Sequence, residues 1–240
     1  ISSAAVRSKT LFITVDRTMP PVESIQFSEH ERDTLYHVLR ARRDMRHFLP
    51  DPVDPAVLAR VLAAAHLAPS VGLMQPWRFL RVINTALRLR LHALVEEERG
   101  HTAAALGVRS AEFLRLKVEG IRECPELIVA ALAPDDGTLF GRRTLPEEMA
   151  LCSVACAIQN KWLAARAENI GLGWVSFFDP IAVARLLAIP LGGKPIAILC
   201  LGHVESFYPR PMLESEGWRQ SLPLQDLVFQ DTWGNSKASV

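Results

Sequence analysis

A chain of 240 residues has room for one large domain or two small ones and can bury a sizeable core. Hydrophobic residues make up 49% and charged residues 22%, as in folded globular proteins, and a formal net charge of +1 excludes a generic nucleic-acid binder, which carries a basic excess. No apolar run reaches the roughly eighteen residues that span a bilayer. LFITV (11–15) is too short for a signal-peptide core and is followed at once by Asp16 and Arg17, so a cytoplasmic protein with a loosely ordered leader over residues 1–27 is expected.

Ser28, with Glu31 three residues on, makes a capping box, and Leu35, Val38 and Leu39 form the helical stripe behind it. That helix runs into a cationic cluster, ARRDMRHFLPD (41–51), and has to stop before Pro50 and Pro52. Asp54-Pro55 reads as an N-cap followed by proline at the first helical position, opening a helix that ends by Pro69. WRFLRVI (77–83) predicts a strand, with a helix over about 84–98. Residues 99–122 are charged and amphipathic and predict a mobile helical cover. PELIVAALA (125–133), a continuous apolar run bounded by prolines, predicts a buried strand.

The stretch 146–171 opens with proline and two acids and closes at Gly171, as a long helix does. It is apolar nearly all round as far as Lys161, which places it in the middle of the fold or of a subunit interface. WVSFF (174–178) predicts a short strand, Asp179-Pro180 caps a helix through Ala188, and KPIAILCLGHV (194–204) predicts a last buried strand. The end of the chain, PLQDLVFQDTWG (223–234), reads as an arm. This order of elements predicts one layered α+β or α/β domain with a mixed sheet. Cys124, Cys152, Cys156 and Cys200 contain no CxxC pair and no histidine at ligand spacing, so buried thiols are expected and a metal site is not.

Three stretches have the residue types for chemistry. In RRDMR (42–46), guanidinium groups with paired donors suit a phosphate, although a basic helix end also complements the helix dipole. APSVGLMQPWRF (68–79) offers backbone N–H groups, a hydroxyl, the Gln75 amide and Trp77 to a planar polar ring, or simply connects a helix to a strand. NIGLGWVSF (169–177) is no dinucleotide fingerprint, yet Gly171 and Gly173 permit close backbone approach. Ser176, polar within an apolar strand, needs a partner for its hydroxyl.

Together these motifs resemble the nitroreductase-like flavoproteins, in the branch that builds the benzimidazole lower ligand of vitamin B12 from FMN. Where the general pattern has an Asn three residues after the serine of APS, this chain has Leu73, as that branch does. The likeness extends through PELIVAALA and FYPRPMLESEGW, over about residues 28–234. It implies a nitroreductase-like fold with a mixed central sheet surrounded by helices, a lid at about 99–122 and a C-terminal arm at about 205–240. It also implies a homodimer with FMN at the subunit interface.

By the same resemblance Arg42, Arg43 and Arg46 hold the FMN phosphate and ribityl chain, with Asp44 and Met45 beside them. Ser70, Met74 and Gln75 meet the ring, and Gly171, Leu172 and Gly173 pass close to it. Arg219, in GWRQSLPL, is the candidate for a further phosphate contact. Asp44, kept ionised by its arginines, is the expected general base, and Ser176 assists. The implied reaction is oxygen-dependent fragmentation of reduced FMN to 5,6-dimethylbenzimidazole and erythrose 4-phosphate, with O₂ as co-substrate, no metal, and a separate flavin reductase as the candidate source of reduced FMN. The alternatives are an NAD(P)H-dependent nitroreductase, flavin or cobalt-corrinoid reductase, and a non-catalytic flavin-binding dimer.

Overall fold

The computed structural model describes residues 26–235; nearly all of the expected leader, residues 1–25, lies outside them, as do the last residues, 236–240. Among the described residues no helix is long and apolar enough to cross a membrane. The described chain packs as two compact units.

The first unit comprises residues 26–42, 53–77 and 135–169. Its helix α1 (Glu29–Ala41) starts at the expected capping box: the Ser28 N–H donates to the Glu31 carboxylate at 2.8 Å, and the Glu31 N–H donates to the Ser28 hydroxyl at 3.3 Å. It ends at Ala41, because Arg42 is already extended with ψ 134°. The cationic cluster is therefore extended chain rather than the last turn of a helix. In α2 (Pro55–His66), Asp54 accepts from the Ala56 N–H at 2.7 Å, and Leu58, Val61 and Ala65 are buried. Helix α2 packs on the long helix α5 (Pro146–Ala167), which also touches α1.

Helix α5 is not enclosed all round. Ala150, Val154, Ala157, Ile158 and Trp162 are buried, while Cys152, Ala155, Cys156 and Gln159 are exposed on the opposite face. The expectation of four buried thiols holds for Cys124 and Cys200 and fails for these two, because the spacing of four that joins them also places them on the outward stripe. The helix ends at Ala167, and the left-handed residue after it is Asn169 (φ 57°), not Gly171. Lys161 is fully buried, and burial lowers its pKa to about 7.

The second unit, residues 43–52, 78–134 and 170–235, is built on the sheet. Its strands are β1 (Trp77–Arg81, with Trp77 in the first unit), β2 (Glu126–Leu132), β3 (Gly171–Val175) and β4 (Lys194–Gly202), in the order β1-β2-β4-β3. Strand β4 is antiparallel to β2, with Val129 opposite Ile198, and antiparallel to β3, with Gly173 opposite Cys200. A parallel bridge joins Asp44 to Leu172. Every residue of β2 is buried, as its unbroken apolar run requires. Met45, Phe48, Leu91, Val95, Ile121, Leu127, Val175, Val183 and Ile198 pack together, drawing in α3 (Thr85–Ala105) and α6 (Pro180–Leu186).

Other boundaries also differ from expectation. Helix α3 runs on to Ala105, and α4 (Ser110–Arg115) follows a single 3₁₀ turn. Within the segment read as a cover, Leu116, Val118 and Ile121 are buried, so that part is core. Strand β3 begins at Gly171, which puts both glycines inside it and leaves Ser176 beyond its end, exposed to solvent. The Ser176 hydroxyl therefore has no burial to offset. In the arm, α7 (Met212–Ser215) precedes Trp218, which packs on Phe113 and lies under the Arg109 guanidinium at 3.6 Å.

Candidate active site

The RRDMR segment leaves α1 extended, and in extended chain residues two apart face the same side. Asp44 and Arg46 consequently meet. Arg46 Nη1 donates to Asp44 Oδ1 at 2.5 Å, and Nη2 donates to Oδ2 at 2.6 Å. The same two nitrogens donate to the carbonyls of Met45 at 3.2 Å and Trp174 at 2.9 Å. Each terminal nitrogen carries two hydrogens, so all four are engaged within the protein. Arg46 is buried and its Nε makes no hydrogen bond among the described residues.

Asp44 is the exposed end of this pair: its side chain keeps 41% of its accessibility against 8% for Arg46. Its Oδ1 also accepts from the Trp174 N–H of β3 at 2.9 Å. A carboxylate held by a forked guanidinium and a main-chain donor is fixed in position while still reachable from solvent. One residue on, the Met45 N–H donates to the Leu172 carbonyl at 3.0 Å. The Met45 and Leu172 side chains are both buried, so each has only its backbone near this surface.

The glycines of β3 are required by the protein's own packing. A Cβ on Gly173 would meet the Met45 carbonyl oxygen at 2.1 Å and Arg46 Nη1 at 2.8 Å. On Gly171 it would meet Val204 at 2.5 Å. The close approach read from the sequence is thus between β3 and the RRDMR segment.

Arg43 donates to the Pro209 carbonyl at 3.0 Å. Tyr208 was not singled out by its sequence context. Its hydroxyl accepts from the Arg46 N–H at 3.2 Å and lies 2.7 Å from His47 Nδ1, so the start of the arm pins the segment carrying Asp44. Arg219 is exposed farther along the arm.

In the first unit, Arg42 lies over the Trp162 ring at 4.6 Å. The Ser70 hydroxyl accepts from the Gln75 N–H at 3.0 Å, closing the loop that holds Met74, and the Val71 N–H donates to the Ser153 hydroxyl at 3.1 Å. Gly72, Leu73 and Gln75 all have positive φ, at 53°, 53° and 44°. Such conformations in non-glycine residues store strain and concentrate in ligand-binding loops. In the second unit the Arg43 guanidinium and the reachable Asp44 carboxylate suit a phosphorylated polar ligand such as FMN, and in the first unit the tense Ser70–Gln75 loop by itself offers polar groups to a ring.

The chain belongs to the nitroreductase family. The profile described as "Nitroreductase family" matches residues 39–203. It is 42% identical over 205 residues to a Rhodobacter capsulatus protein named 5,6-dimethylbenzimidazole synthase, covering 84% of this chain and 98% of that one. A Rhodospirillum rubrum protein of the same name is 41% identical over 203 residues, covering 82% of this chain and 94% of that one. Among solved structures, oxidized iodotyrosine deiodinase bound to FMN and 3-iodo-L-tyrosine superposes with a TM-score of 0.66 at 22% identity, over 83% of this chain and 100% of that one. That likeness shows the α+β fold alone.

Proposed function

We propose that this protein fragments reduced FMN in the presence of O₂ to 5,6-dimethylbenzimidazole and erythrose 4-phosphate, acting as a homodimer with the flavin at the subunit interface. The observation that carries this reading is the Asp44 carboxylate, held by Arg46 and the Trp174 N–H yet open to solvent, in a chain 42% identical to a relative named for this synthesis. The flavin supplies both the reactivity toward oxygen and the carbon that becomes the benzimidazole.

Asp44 acts as the general base, taking a proton from the ribityl chain at C1′ or a neighbouring hydroxyl. Arg46 positions that base instead of gripping phosphate, since its four terminal hydrogens are engaged within the protein. Arg43 takes the phosphate, with Arg42 and Arg219 as further candidates. Ser176, exposed at the end of β3, offers its hydroxyl to the polar edge of the ring. A moving cover is confined to about residues 106–112, because the rest of the expected lid belongs to α3 or, from Phe113 onward, packs into the core. Dimer formation is supported by α1, which buries none of its residues and exposes Leu35, Tyr36 and Leu39.

The test is incubation with chemically reduced FMN and air, followed by mass detection of the benzimidazole. Product formation supports the reading. A tightly held flavin that NADPH reduces rapidly, without benzimidazole, replaces it with an ordinary flavin reductase.

A further inference from the structure

Away from Asp44, a histidine and two glutamates converge in the second unit. His92 and Glu96 stand four apart on α3 and share one face of it. Glu119 comes from the segment after α4 and is buried. One ligand atom from each residue lies within 4.8 Å of the other two. We propose that this triad binds a single redox-inert divalent cation of the zinc type.

The distance between His92 Nε2 and Glu119 Oε1, 3.6 Å, is the first support. A charge-assisted hydrogen bond between these groups would close to about 2.7–2.9 Å. Two ligands on one tetrahedral zinc, with bonds of about 2.0–2.2 Å, stand roughly 3.3–3.6 Å apart. The observed gap is that of co-ligands.

The second support is the way the carboxylates are held. The Ile121 N–H donates to Glu119 Oε2 at 2.6 Å, fixing that oxygen and directing Oε1 toward His92. Arg99 donates to Glu96 Oε2 at 3.2 Å and orients it in the same way. Outer bonds of this kind set ligand direction at metal sites. The donor types are the third support: one imidazole nitrogen and two carboxylate oxygens suit zinc and leave a fourth position for water.

The cation would brace the turn that Glu119 caps. A Cβ on Gly120, in that turn, would meet the Phe48 ring at 2.5 Å and the Arg46 carbonyl oxygen at 2.9 Å, so the turn buttresses the segment bearing Asp44. The experiment uses the full chain, stripped with a chelator and carrying Cys152→Ser and Cys156→Ser, because those exposed thiols would compete for zinc. Calorimetric titration with Zn²⁺ should give one ion per chain and a raised unfolding temperature. His92→Gln and Glu96→Gln should each weaken binding by about 10-fold or more. Glu96 is only half-buried on a helix, so its variant keeps the fold even where the His92 variant does not. No heat of binding, or an affinity unchanged in the Glu96 variant, overturns the assignment. The readout needs no flavin and is independent of the proposed reaction.

Discussion

Arg46 closes on Asp44 through both terminal nitrogens, at 2.5 and 2.6 Å, and turns its remaining terminal hydrogens to two main-chain carbonyls. The arginine inside the motif is therefore the support of the acid, which alters what each substitution in the motif should do.

Asp44→Asn should bind FMN and yield no detectable benzimidazole from reduced FMN and air, a loss of at least the roughly 10²–10⁴-fold of a missing general base. It should also be less stable by about 1–3 kcal/mol, because the buried guanidinium loses its charged partner. Fluorescence titration, product assay and thermal melting read these separately. Normal product formation would remove Asp44 from the mechanism.

Arg43→Ala and Arg46→Ala should separate phosphate binding from support of the base. The Arg43 variant should lose affinity for FMN by about 10-fold or more while keeping its affinity for riboflavin. The Arg46 variant should weaken both flavins alike and lower the melting temperature. A selective loss of FMN in the Arg46 variant would return the phosphate to Arg46.

Gly173→Ala places a methyl group 2.1 Å from a carbonyl oxygen, where backbone has to move. A loss of about 1–3 kcal/mol or more is expected, together with displacement of the RRDMR segment. Gly100→Ala is the control. Gly100 lies in α3 with nothing near the added Cβ, so the change should stabilise by up to about 1 kcal/mol. Urea unfolding of both variants is the measurement.

Lys161 has a folded-state pKa of about 7 against 10.5 for the ordinary group, so between these values the unfolded chain binds more protons. Stability from this residue is complete above the unfolded value, falls as pH drops, and levels off below about 7. Lys161→Met should therefore be the more stable protein by a few kcal/mol near neutral pH. Its advantage should shrink as pH rises toward about 10. Unfolding midpoints of the pair across this range provide the check, and a constant difference would contradict the assignment.

The helices were legible because their signals are local: Ser28 with Glu31, Asp54 with Pro55, and Asp179 with Pro180 each mark a start that the chain uses. The buried strand β2 was legible for the same reason, as an apolar run between prolines. Strand β3 was read three residues late, since its first half, Gly171–Gly173, looks like a helix ending. What makes those glycines strand residues is the approach of Met45 and Arg46, which lie far away in sequence. The motif residues Asp44 and Arg46 were visible, but their mutual bond was not, because the cluster was read as approaching a helix end and the chain is extended there. Tyr208 carried no local signal at all. Its role exists only once the arm returns to His47 and Arg46.

The bridge from Asp44 to Leu172, with the Met45 amide bonded to the Leu172 carbonyl, has a consequence beyond chemistry. Strand β3 ends the sheet, and an open strand edge invites pairing with other molecules. The segment that carries the acid also shields that edge, so loosening it should promote self-association as well as impair turnover. Selection on solubility and selection on catalysis would then act on the same few residues.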